Sequence, residues 1–286
     1  MTVSGTTVSK RRVAFRFGTA GRMLTLAFFT LLFVFPFIWL CYNSFKTNTQ
    51  LYDNPWALPT VWHTENYSYA WTVANVGTYF FNSVKVCGCA IVISLLLSTM
   101  ASFAITRMRW KLSHAVLALF IISMMIPGNA TLIPLFLSFS KLGLVNTHAA
   151  LIILYAIGAL PISIFILCGF LRSFPNEIEE SAVIDGASMI KLFFRITLPV
   201  SRAAIATVAI YTFIGMWNDL TTAIVFLNDN AKMTLPYGLK AFQGQYSTDY
   251  TSTFAAVAIA TVPTVMIFTI FNKQIIAGVT AGSVKE

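Results

Sequence analysis

The sequence predicts an all-α integral membrane protein of about six transmembrane helices, and three observations carry that prediction. Hydrophobic residues make up 57% of the 286-residue chain and charged residues only 10%, against roughly 45–50% apolar and about 25% charged in soluble domains. Five uninterrupted apolar runs are each long enough, at 1.5 Å per helical residue, to cross a hydrocarbon core about 30 Å thick. The Lys and Arg residues stand in short clusters beside these runs instead of spreading over a polar shell.

The N-terminal tail, residues 1–22, carries Lys10, Arg11, Arg12, Arg16 and Arg22 and resembles the charged start of a signal peptide. The apolar run after it continues from residue 23 to 42, a spanning length, and no small-x-small cleavage site follows, so it reads as a retained anchor. Further spans are expected near 84–106, 149–171, 203–227 and 253–271, with a tail over 272–286. Residues 112–139 are apolar but broken by Pro127-Gly128-Asn129 and Pro134, which allows a kinked span or a helix followed by a re-entrant piece. Arg107, Arg109 and Lys111 precede this stretch and Arg172 follows the next span; both clusters belong on the same side, so two crossings separate them.

With the N-terminus inside, fourteen of the nineteen bases fall on cytoplasmic segments, and Lys46, Lys85, Lys141, Lys232 and Lys240 fall outside. The positive-inside rule therefore predicts both termini in the cytoplasm. Three outer segments are expected near 43–83, 140–148 and 228–252. The first holds Trp56, Trp62, Tyr67, Tyr69 and Trp71, the composition of an interfacial aromatic belt.

Several function classes fall away. The net charge of +9 sits beside apolar runs, where lipid head groups account for it better than nucleic acid does. Cys41, Cys87, Cys89 and Cys168 lie in or beside apolar segments without redox spacing, and His63, His114 and His148 have no metal-site spacing. No nucleophile with a base and no phosphate-cradling glycine loop occurs, so neither enzymatic activity nor a bound cofactor or metal is expected. The sequence holds no separate soluble domain, so any ATP-hydrolysing or ligand-capturing part is expected on other chains.

The cytoplasmic segment 172–202 is the most informative. Pro175 suits the first turn of a helix, and Glu177, Glu179 and Glu180 set negative charge against the positive end of its dipole. Asp185-Gly186 signals a turn, Ser188 an N-cap, and a second helix is expected to run to Leu198, where Pro199 marks a break. Ile178, Ala182 and Val183 on the first helix, with Ile190, Leu192, Phe193, Phe194 and Ile196 on the second, are more apolar than a solvated connector tolerates. Such a pair either lies against the membrane or its own bundle, or docks on a partner.

Glu180-Ser181-Ala182, three residues, Gly186, nine residues and Ile196-Thr197-Leu198-Pro199 resemble the E-A-A-x3-G-x9-I-x-L-P signature of binding-protein-dependent ABC importer permeases. Ser181 is the departure, a small residue in place of alanine. Met125-Ile126-Pro127-Gly128, Leu132-Ile133-Pro134-Leu135-Phe136, Lys141-Leu142-Gly143-Leu144, Asp185-Gly186-Ala187-Ser188 and Trp217-Asn218-Asp219 are similar to the maltose-type carbohydrate permeases.

The resemblance covers most of the chain from about residue 80 onward and implies the type I importer fold. It also implies that Glu180, Ser181, Ala182, Asp185, Gly186, Ala187, Ile196, Leu198 and Pro199 form a coupling helix and its flank, seated on an ATPase subunit. The implied partners are a second homologous permease, two ATPases carrying ATP-Mg and an external solute-binding protein, with a sugar, oligosaccharide or polyol as cargo.

Within the fifth span, Asp219 falls about 12 Å from the outer end, counted at 1.5 Å per residue, where an ionisable group is functional by default. Trp217, Asn218 and Asp219 either face a water-filled solute path or bond a neighbouring helix. Asn129 is a further candidate for the path, because irregular backbone in a membrane lines a cavity or is buried in protein. Asp219 and the broken 112–139 segment also fit an ion-coupled secondary transporter, the alternative function.

Overall fold

The computed structural model describes residues 7–108, 110–175, 177–242 and 249–281; Arg109 lies outside the described residues. Among these residues every regular element is helical. Helix α1 (Thr7–Asn43) is exposed from residue 20 to 38, an apolar surface that lipid or another chain has to cover. Its far end is anchored, where Trp39 meets Trp56 and Phe254 with ring centroids 5.9 and 5.4 Å away.

Helix α4 (Val76–Arg107) is the central post. It starts eight residues before the expected span, because polar Asn82 and Lys85 dilute its first turns without breaking them. Val86, Ala90, Ser94, Ser98 and Ser102 recur every fourth residue and are fully buried, a stripe of mostly small side chains against α7 (His148–Gly158) and α8 (Leu160–Ser173). Small residues let helix backbones approach closely where lipid supplies no hydrophobic drive. Together α7 and α8 make one crossing over His148–Ser173.

Residues 112–139 resolve into α5 (Ser113–Ser123) and α6 (Gly128–Lys141), bent by 99° at the break before Pro127. Among the described residues four helices are long and apolar enough to cross a membrane, or up to six if each of two bent pairs counts as one. The second bent pair joins Met189–Val200 to Arg202–Trp217 at 72°, and the expected fifth span is interrupted at its other end as well. Helix α12 (Arg202–Trp217) stops at Trp217, and the chain turns before the short α13 (Thr221–Phe226), so no helix runs unbroken over 203–227. The final crossing is α15 (Tyr250–Ala281), packed against α12 and the end of α1.

The two ends of α4 lie roughly 48 Å apart by helical rise, and each carries an irregular layer. At the Val76 end sit α2 (Asn48–Asp53), α3 (Glu65–Ser68) with its π-helical extension Tyr69–Val73, and α14 (Leu235–Ala241). Side chains satisfy the loop backbone there. Asn82 donates to the carbonyls of Ala231 and Met233 at 2.9 Å, the Ser83 hydroxyl accepts from Leu235 N at 2.8 Å, and Asn146 Oδ1 accepts from Asn228 N and Asp229 N. Segment 172–202 occupies the Arg107 end.

Candidate functional site

The loop at the Arg107 end is built as its residues dictate. Helix α9 (Glu177–Ile184) opens on its three glutamates, and Asn176 before it lies outside the described residues. The helix ends on Gly186, whose φ of +79° is strained for any residue with a Cβ. Ala187 N donates to Ala182 O at 2.9 Å and Gly186 N to Val183 O at 3.0 Å, the paired bonds of a Schellman motif. Ser188 caps α10 (Met189–Leu192), accepting from Lys191 N at 3.4 Å.

The second half departs from the expected helix to Leu198. Beyond α10 the chain widens into a π-helical turn over Phe193–Thr197, then closes as α11 (Leu198–Val200). Pro199 sits in the first turn of α11, where its missing N–H is harmless, and a 72° bend separates this stretch from α12 beginning at Arg202.

The motif residues divide between two faces. Glu180, Ser181, Asp185 and Gly186 are exposed, and Ser181 donates its hydroxyl back to the Glu177 carbonyl. Ala182, Ile196 and Leu198 turn toward the bundle, packing on buried Phe103, Leu192 and Phe193, while Ala187 and Pro199 are half-buried. Ala182 thus seats the helix against its own chain. The outward face carries Ile178, Val183, Ile184 (85% exposed), Met189, Ile190 (73%) and Phe194 (55%). An apolar patch of this kind on a hinge between crossings has the character of an interface.

One part of the loop was not singled out in the sequence. Glu179 is buried between the exposed Glu177 and Glu180 and meets Arg107, the last residue of α4, with Oε2 2.5 Å from Nε. Arg107 Nη2 also donates to the carbonyls of Leu171 (2.8 Å) and Phe174 (3.2 Å) at the end of α8. Thr197 donates its hydroxyl to Glu179 Oε1 at 3.2 Å. The signal available beforehand was position alone: a base ending one apolar run and an acid on the inward face of the first loop helix.

Within the bundle the structure separates Trp217 from Asp219. Trp217 is buried, stacked on Phe213 at 5.2 Å and edge-on to Phe80 at 5.8 Å, with its indole N–H donating to Ala260 O at 3.2 Å. Its ring packs α12 against α4 and α15, and what remains of its surface lines a cavity shared with Asn218. Asn218 donates to Ile214 O at 2.8 Å, closing the end of α12.

Asp219 sits in the chain break, where its Oδ1 accepts from Thr221 N (3.0 Å) and Thr222 N (3.3 Å), so the helical-rise estimate of its depth does not hold. Asp219 and Asn129, distant in sequence, line one cavity of about 440 Å³ together with Tyr155, Tyr211, Thr131 and Thr222. Tyr155 and Tyr211 lie in apolar runs that carry no sequence signal for a path. Asn218 faces a different cavity, of about 890 Å³, walled largely by α15 and by Phe37 of α1. Among the described residues no three His, Cys, Asp or Glu side chains are grouped to hold a metal ion.

Comparison with known proteins bears on this arrangement. The permease protein NgcG of the diacetylchitobiose uptake system of Streptomyces coelicolor is 33% identical over 260 residues, 90% of this chain and 86% of that one. MelC, the melibiose/raffinose/stachyose import permease protein of Bacillus subtilis, is 34% identical, covering 87% and 91%. AraQ, the arabinooligosaccharides transport system permease protein of Halalkalibacterium halodurans, is 35% identical, covering 91% and 94%.

A crystal structure of a bacterial ABC transporter involved in the import of the acidic polysaccharide alginate contains a chain of the same fold, with a TM-score of 0.79 over 96% of this chain and 99% of that one at 20% identity. Residues 90–280, from the middle of α4 to the end of α15, match the model of one protein family. Segment 172–202 and the helices from the middle of α4 onward lie inside that match, and the chain belongs to the family of binding-protein-dependent transport system inner membrane components.

Proposed function

We propose that the chain is one permease of a heterodimeric, ATP-driven carbohydrate importer, and that the cavity holding Asn129 and Asp219 is its share of the sugar path. As a family member the chain is a transporter permease subunit of the inner membrane. ATP hydrolysis is assigned to two separate ATPase subunits carrying ATP-Mg, on which the outward face of α9–α11 seats, and this chain binds no cofactor of its own. Both termini lie in the cytoplasm. An external solute-binding protein delivers cargo to the layer at the Val76 end of α4, and lipid covers the remaining apolar surface.

The observation that carries the sugar reading is the chemistry of the cavity. Asp219 and Asn129 offer acceptors and an amide donor, Thr131 and Thr222 offer hydroxyls, and Tyr155 and Tyr211 offer aromatic surface with polar tips. A few convergent polar groups on an apolar, aromatic lining suit a polyhydroxylated ring. The cargoes for which the three relatives are named, all saccharides, run the same way. The ion-coupled alternative has no support, since family membership is that of binding-protein-dependent systems.

The test is uptake of a panel of labelled oligosaccharides and polyols into vesicles containing the complete complex, with native chain or Asp219→Ala. Uptake is expected only while ATP is hydrolysed. The variant should assemble normally and transport at least about tenfold less at low cargo, a loss of ~1.4 kcal/mol of binding. Uptake driven by an ion gradient alone, or undiminished transport by Asp219→Ala, contradicts the proposal.

A further inference from the structure

The coupling surface of α9 points outward, so any push on it has to reach the crossings through the inward face of the same helix. That face holds an apolar part and a charged part. The apolar part, Ala182 against Phe103, Leu192 and Phe193, supplies adhesion that is non-directional and tolerant of sliding.

The charged part is directional. A guanidinium is a planar fork of donors, and here it joins three elements at once: its own α4, the last carbonyls of α8 through Leu171 and Phe174, and α9 through Glu179. The second carboxylate oxygen of Glu179 carries the connection on to Thr197 in the π-helical turn that leads into α12. Both charged side chains are nearly dry, 8% and 7% exposed.

Adhesion alone does not account for this node. Removing two charges from water costs about as much as their attraction returns, and apolar residues of similar volume at such a site are often as stabilising or more so. Fixing register is the best-attested use of a buried pair. Solubility is no explanation either, because Glu177 and Glu180 on the same helix already face solvent.

We propose that Arg107, Glu179 and Thr197 form a strut that makes the loop and the ends of α4, α8 and α12 move as one body, and so sets how much cargo crosses per ATP hydrolysed. The three are positioning residues: they touch neither cargo nor nucleotide and act through α9. The proposal rests on the reading that α9–α11 seats on an ATPase, and its test is arranged so that the two fail separately.

The experiment reconstitutes the full complex, with both permeases, the ATPases and the binding protein, and reads sugar uptake and phosphate release in the same vesicles. Glu179→Gln, which keeps size and loses charge, is expected to retain co-purifying ATPases and hydrolysis within about twofold, while uptake per ATP falls about fivefold or more, the low end of site-to-site coupling.

Thr197→Val, which preserves shape in a buried position, should lower the same ratio by a smaller factor without loss of assembly. It keeps the test decisive if Glu179→Gln assembles poorly. Arg107→Lys keeps the charge but not the fork, and should leave the ratio closer to Glu179→Gln than to native. Uptake and hydrolysis falling in proportion in these variants, with an unchanged ratio, overturns the strut. Failure of the ATPases to co-purify with the native chain overturns the docking reading instead.

Discussion

Substitution at Gly186 separates what the loop needs from its own backbone and what it needs from a partner. Gly186 has φ +79°, and a Cβ built there meets nothing within 4 Å. An L-residue held in this left-handed conformation costs roughly 1–2 kcal/mol, and with open space around the position a longer side chain adds nothing further inside the chain. Gly186→Ala and Gly186→Arg should therefore lower the stability of the purified chain by the same amount, within about 0.5 kcal/mol, the usual spread of surface substitutions. Gly186→Asn should cost less, since asparagine tolerates this region.

Seating on a partner breaks that equality. An arginine projecting from the loop tip into a close interface should reduce ATP-driven uptake by more than about tenfold, or ~1.4 kcal/mol, while alanine leaves most of it. Thermal unfolding in detergent, read by tryptophan fluorescence, gives the first comparison, and uptake into vesicles the second. Destabilisation by arginine more than about 2 kcal/mol beyond alanine would mean that the tip is packed within its own chain. Equal transport by the two variants would mean that nothing sits close to it.

Trp217→Phe should remove about 1 kcal/mol of stability with the lost indole bond to Ala260 and leave the concentration dependence of sugar uptake unchanged, as transport kinetics would show; a weakened apparent affinity would return Trp217 to the path. Asp249 is set up for an acid response at the layer distant from the loop. Burial alone would raise its carboxyl, but bonds from Ser252, Asn48 and Thr251 outweigh this and hold it below the usual carboxylate value. A lowered folded-state value contributes stability that is complete above the unfolded value of about 3.9 and is lost as pH falls through the folded one. Thermal midpoints measured from neutral pH down to about 3 should fall less steeply in Asp249→Asn than in the native chain.

How far the sequence could be read depended on whether a property was local. The Asp185-Gly186 turn and the Ser188 cap are consequences of single residues, and they stand in the structure as expected. The break at Pro127 was equally visible because proline acts on its own neighbourhood. Trp217-Asn218-Asp219 is legible as a polar interruption of the fifth span, but the end of the helix there is not, since apolar Ile224, Val225 and Phe226 resume after it and composition alone reads through the gap.

Glu177, Glu179 and Glu180 look alike as dipole-complementing acids, and only tertiary packing turns Glu179 inward to Arg107. Arg107 in turn passed for one of three topogenic bases. Asn129 and Asp219 are each legible as polar groups at membrane depth, but their shared cavity with Tyr155 and Tyr211 depends on how α6, α7, α8, α12 and α13 meet. The five-residue stripe from Val86 to Ser102, one residue in every four, was present in the sequence and would have marked the buried face of α4.

The central claim is that the exposed face of α9–α11 seats on an ATPase. Photo-crosslinking tests it most directly, with a photoreactive residue placed at Ile184 in the assembled complex and, as a control, at the exposed Leu58 in the layer at the other end of α4. The account predicts that Ile184 captures the ATPase subunit and Leu58 does not. Capture of lipid alone at Ile184, or of the ATPase at Leu58, would contradict it.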